Sequence, residues 1–152
     1  SNAAAGLQRS AEPALDAPRP GPTAGAVFVP AAFDSESFER VAKAIFIRMQ
    51  AANDARNLDD LRQFTTPEMF AEFQLEVLER GSAPQTTEVR RVEAKVLDVA
   101  EEAERQVVSV RYRGELVEEA GAAPASFDEV WHLVRPRGSE AAWVIAGIEQ
   151  MA

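Results

Sequence analysis

An α+β domain, with N-terminal helices packed on a curved four-stranded antiparallel sheet, follows from three features of this sequence. Apolar residues recur at three- and four-residue steps from Ser35 to about Asn53, the stripe of an amphipathic helix. After Gly81 the apolar period shortens to the two-residue alternation of extended chain and stays there. Four such extended runs follow one another with only short polar or Gly/Pro-containing turns between them, which leaves no room for crossover helices. Helices first and consecutive strands afterwards make an antiparallel meander rather than a doubly wound sheet.

The first helix carries Phe38, Val41, Ala42, Ile45, Phe46, Met49 and Ala52 on its apolar stripe. Asp34 or Ser35 can cap it, and Glu36 suits the positive end of its dipole. Leu58, Leu61 and Phe64 predict a short second helix. Thr66-Pro67-Glu68 is a restart signal: an N-cap hydroxyl, a proline whose missing N–H costs nothing at the first helical position, and an acid in the first turn. The third helix then runs to about Arg80, burying Met69, Phe70, Phe73, Val77 and Leu78, and Gly81 stops it.

The strands are expected over Thr86 to Val99, Gln106 to Val117, Ser126 to Val134 and Trp143 to Gln150. In the first, Val92, Ala94 and Val96 give way to Leu97 and Val99, a change of face natural at a β-bulge. The second alternates cleanly, with Val108, Val110, Tyr112 and Leu116 against Ser109, Arg111, Arg113 and Glu115, so one face is core and the other wet. The third is apolar on both faces: Phe127, Trp131 and Leu133 on one, Val130, His132 and Val134 on the other. Helices can cover only the first of these. The other face, Val130 and Val134 joined by Val144, Ala146 and Ile148, is expected to meet a second copy of the chain or the Val27-Phe28-Val29 arm.

A chain of 152 residues with 46% apolar content holds one domain with a real core. Residues 1–32, rich in Ala, Pro and Gly, read as a linker beginning with a tag remnant, and residues 33–152 as the domain. The linker charges Arg9, Glu12, Asp16 and Arg19 cancel, so the net charge of −9 belongs to the domain and disfavours nucleic acid. Without cysteine there is no thiolate nucleophile and no cysteine zinc site, and a lone histidine makes a multi-histidine metal centre impossible. No cofactor motif is legible, and no metal site is expected.

The run FDSESFERVAKAIFIRMQAANDARNLDDLRQFTTPEMFAEF, followed by SFDEVWHLVRP and AAWVIAGIEQ, resembles the bacterial members of the Tim forty-four-like domain family, relatives of a mitochondrial inner-membrane import-motor scaffold. The resemblance runs from about Phe33 to the C-terminus and rests on the order of these segments. It implies a nuclear-transport-factor-two-like (cystatin-like) fold with an apolar pocket between helices and sheet, and a domain held at the bacterial inner membrane by an upstream anchor, facing the cytoplasm. It further implies a non-enzymatic scaffold that engages a protein partner or a membrane lipid. The alternative is a small-molecule-binding or enzymatic member of the same superfamily. The acidic charge departs from the mitochondrial relatives and weighs against direct binding to anionic lipid.

Phe38, Ile45, Tyr112, Phe127 and Trp131 are the expected pocket lining, against the plainer reading that aromatics at core spacing are core. Val130, Val134, Val144 and Ile148 are the expected interface of a homodimer. No catalytic residue is expected. His132 invites a catalytic role, but Asp128 stands four strand residues away, about 13 Å at about 3.3 Å per residue, too far for a dyad. Glu129 shares the face of Phe127 and Trp131, at a pocket rim or paired with an arginine. Arg90, Arg91, Arg111 and Arg113 form either a cationic stripe or ordinary cross-strand ion pairs, and the acids at 101–104 and 118–119 are hairpin tips.

Overall fold

The computed structural model describes residues 28–82 and 84–151; most of the expected linker, and Val27 of the arm, lie outside the described residues. Three helices, α1 (Ser35–Ala55), α2 (Leu58–Gln63) and α3 (Pro67–Arg80), precede four strands, β1 (Glu88–Glu101), β2 (Arg105–Val117), β3 (Ala125–Pro136) and β4 (Val144–Gln150). The strands form one antiparallel sheet in sequence order, the meander that the short connections require.

Local chemistry sets the helix ends. Asp34 caps α1 by accepting from the Ser37 N–H at 3.1 Å, and Thr66 caps α3 by accepting from the Met69 N–H at 3.3 Å with Pro67 behind it. α1 closes on Arg56 in the left-handed region, whose N–H returns to the Ala52 and Asn53 carbonyls. Gly81, also at positive φ, closes α3.

The inner sheet face buries α1 through Phe38, Ala42, Ile45, Phe46 and Met49 against Val110, Tyr112, Leu116, Phe127, Trp131 and Leu133. Two stripe positions depart from expectation. Val41 is half exposed and Leu78 is 65% exposed, because α1 and α3 each bury a narrower arc than the apolar spacing offers.

Bulges decide which residues share a face. The expected one in β1 is present: register shifts between Val96 and Asp98, so Val96 and Val99 both join the core, while Asp98 pairs with Ser109 on the outer face. The displaced Val96 N–H is accepted by the Glu39 carboxylate of α1 at 2.9 Å. Another bulge, in β4, corrects the expectation for Ile148. Pairing runs from His132–Gly147 to Leu133–Ile145, skipping Ala146. Ile148 therefore stands opposite Trp131 in the inner core, while Ala146 packs with Val107 and Val134, and Val144 beside them, on the outer face. Only Val130, Val134 and Val144 of the four expected interface residues face outward.

Candidate functional site

Of the five residues expected to line a pocket, Tyr112, Phe127 and Trp131 pack directly on Phe46. Phe46 of α1 lies with its ring centroid 4.9 Å from Tyr112, 5.1 Å from Phe127 and 5.1 Å from Trp131, which is contact distance for aromatic rings. Phe38 packs apart from them, edge-on to Trp143 at 5.1 Å, and Ile45 is buried on α1. The Tyr112 hydroxyl donates to the Ala42 carbonyl at 2.8 Å, and burial, followed by the nearby Glu129 carboxylate, pushes its pKa far up. Glu129 is fully buried rather than at a rim, and it accepts from the Trp131 indole N–H at 3.0 Å.

The outer face is less wet than its alternation suggested. A polar row crosses the sheet beneath its valines: Asp98 on β1, Ser109 on β2 and His132 on β3, with Glu149 on β4. Ser109 Oγ lies 2.8 Å from His132 Nδ1, and His132 Nε2 lies 2.5 Å from Glu149 Oε2. An ionised Glu149 can only accept, so Nε2 carries a proton; Nδ1 accepts from the Ser109 hydroxyl in the neutral imidazole and donates to its oxygen in the imidazolium. Asp128 does not reach the imidazole; it forms a bidentate pair with Arg111 at 2.8 and 2.7 Å, which holds its carboxyl below the usual range. Arg90 pairs with Glu88 and Arg91 with Glu93, both along β1 and not, as expected, across strands.

Beside the outer end of β1 the chain upstream of α1 returns. Phe28 bridges Asp98 in parallel, donating to the Leu97 carbonyl at 3.1 Å and accepting from the Val99 N–H at 2.9 Å. Between this arm and the sheet lies an open groove of about 690 Å³. Phe28, Pro30, Ala32 and Phe33 form its arm side, and Asp98 to Glu101 with Gln106 its sheet side. The groove is predominantly apolar, and Phe28 leaves 54% of its surface exposed beside it. Sequence reasoning singled out the arm but placed the pocket between α1 and the sheet, whereas the groove lies at the β1 edge. The signal for the groove was the apolar Val27-Phe28-Val29 patch together with the face switch at Val96.

A family model, the Tim44-like domain, matches residues 24–150. The chain belongs to the Tim44-like domain family. The α+β order of this Tim44-like domain is the one the resemblance implies. A search among curated proteins finds no match. Two solved structures are similar in outline. One is an NTF2-like superfamily protein from Salmonella enterica serovar Typhimurium LT2, 8% identical at TM-score 0.43, covering 77% of this chain and 92% of that one. The other is a ketosteroid isomerase-like protein from Erwinia carotovora atroseptica, 15% identical at TM-score 0.42, covering 79% of this chain and 99% of that one. Identities this low carry no activity across to the Tim44-like domain. Among the described residues, no helix is long and apolar enough to cross a membrane, and no cluster of three or more potential metal ligands occurs.

Proposed function

We propose that this Tim44-like domain is a non-enzymatic scaffold working at the surface of the bacterial inner membrane. It engages a lipid chain or a protein segment through the apolar groove beside Phe28. The observation that carries this reading is the groove itself: about 690 Å³ of mostly apolar concavity, bounded by a half-exposed phenylalanine held in place by two backbone hydrogen bonds. An upstream anchor would keep the domain near the bilayer on the cytoplasmic side, and the groove would supply the contact. A homodimer through outer-face residues Val130, Val134 and Val144 belongs to the same proposal; sedimentation giving the mass of one chain at every concentration would remove that part.

The test is vesicle flotation of the whole chain beside the Phe28→Asp variant, with lipid extraction and mass spectrometry of the purified protein. Flotation or a co-purified acyl chain that the variant loses supports the groove. Flotation equal in both proteins counts against it, and so does the absence of vesicle binding together with the absence of any partner retained through Phe28.

One observation favours an enzymatic reading instead, the Ser109–His132–Glu149 series, whose spacing suits general-base activation of a hydroxyl. Against it, Ser109 and His132 are each 2% exposed, so no substrate reaches the hydroxyl in this conformation. Labelling of Ser109 by a serine-directed phosphonate, abolished by His132→Ala, would move the weight to that reading.

A further inference from the structure

We infer that the groove beside Phe28 is selective for an organic ammonium ion carrying an apolar tail, with the Asp98 carboxylate as the acceptor of its N–H groups. This rests on the groove being the binding site of the domain and adds the charge of the ligand. The starting point is that Asp98 is 5% exposed and lines the groove, yet no hydrogen-bond donor approaches its carboxylate among the described residues. Desolvation raises its pKa, opposed only in part by His132 across the sheet. His132 has no N–H to offer it, since its two ring nitrogens face Ser109 and Glu149. Buried carboxylates are normally met by two or three donors, so a nearly enclosed one without any marks a place where the donor arrives from outside.

The surroundings define that donor. None of the described residues lining the groove is basic. The other carboxylate there, Glu101, is already occupied by the Gln106 amide at 2.6 Å and by Arg137 at 3.4 Å. Because Phe28 is the bridge partner of Asp98, the two side chains stand on the same face, placing an aromatic ring next to the acceptor. An ammonium ion satisfies Asp98 and lies within reach of a ring face, while its hydrocarbon tail covers Phe28, Pro30 and Phe33. A carboxylate or phosphate head in the same position would meet Asp98 with like charge. An electrically neutral head would leave the buried charge uncompensated.

Isothermal titration of the whole chain with octylammonium, octanol and octanoate tests this, each used below its micelle concentration at neutral pH. The expected result is octylammonium binding about tenfold tighter than octanol or more, the factor of a charge-assisted hydrogen bond, with octanoate weakest. Asp98→Asn, checked for an unchanged circular dichroism spectrum, should reduce the preference to nearly nothing while keeping octanol affinity. Equal affinities for the three probes, or a preference surviving in Asp98→Asn, overturn the inference and leave the apolar groove standing. Failure of all three to bind rejects the groove as a binding site and the inference with it. Vesicles containing an aminophospholipid form a second arm: flotation lost in Asp98→Asn assigns the ammonium to a lipid headgroup, and unchanged flotation assigns it to a free amine.

Discussion

Asp98 is the residue where stability and the inferred binding pull against each other. Its folded pKa lies above the ordinary value of 3.8, because burial disfavours the charged form more than His132 favours it. The sign follows directly. The penalty is present at pH values above the folded pKa and disappears as pH falls below the unfolded value near 3.8. Asp98→Asn should therefore raise the melting temperature at pH 7, at roughly 2–4 °C per kcal/mol relieved for a domain of this size. The gain should vanish in melts at about pH 3; an equal or lower melting temperature at pH 7 would show that the ionised carboxylate has donors after all. Gly114 is the opposite case. A Cβ there would lie 1.8 Å from the Arg91 carbonyl oxygen and 3.0 Å from the Phe127 ring, so Gly114→Ala forces the β1–β2 pair apart. A loss of about 1–3 kcal/mol in chemical denaturation is expected. Neither residue was legible in the sequence, Asp98 because a bulge sets its face and Gly114 because the close approach depends on which residue pairs with which.

The helix caps were readable because each is settled within four residues: Asp34 with Ser37, Thr66 with Met69, and Gly81 alone. The strands were readable as strands but not always by face. Val144, Ala146 and Ile148 alternate in sequence, and only the two-against-one pairing opposite His132 and Leu133 sends Ile148 inward. Ile148→Asp would therefore damage the core instead of probing an outer interface. The polar row escaped notice for a related reason: Ser109 looked like a solvent position until β1 and β3 flanked it. Cross-strand pairing also makes a testable contribution of its own. Ionised Asp128, held by Arg111, has its pKa lowered, so its stabilisation is present above the unfolded pKa near 3.8 and is lost as pH falls through the lower folded value. Asp128→Asn should cost about 1 kcal/mol at pH 7 for a partly exposed bidentate pair. Urea unfolding should show that cost shrinking towards pH 2, and a pH-independent difference would assign it to packing rather than charge.

For the molecule as a whole, net charge separates this chain from a membrane protein that binds by a basic patch. The sequence carries 25 acids against 16 bases, and among the described residues six arginines, 48, 90, 91, 105, 111 and 137, stand within 4 Å of a carboxylate. A bilayer rich in anionic lipid therefore repels the domain at long range, while the lipid contact proposed for the groove beside Phe28 would act only at contact. The two contributions respond differently to salt. Raising ionic strength from about 10 mM to about 150 mM shortens the screening length from roughly 30 Å to roughly 8 Å, which weakens the repulsion and leaves apolar burial almost untouched. Flotation on cardiolipin-containing vesicles should accordingly increase with salt over that range, and binding to electrically neutral vesicles should stay nearly constant. A polybasic surface gives the reverse, with binding to anionic vesicles falling steeply as salt is added. A decrease with salt would mean that local cationic clusters outweigh the net charge, and it would shift the membrane contact from the groove to the arginines of the sheet.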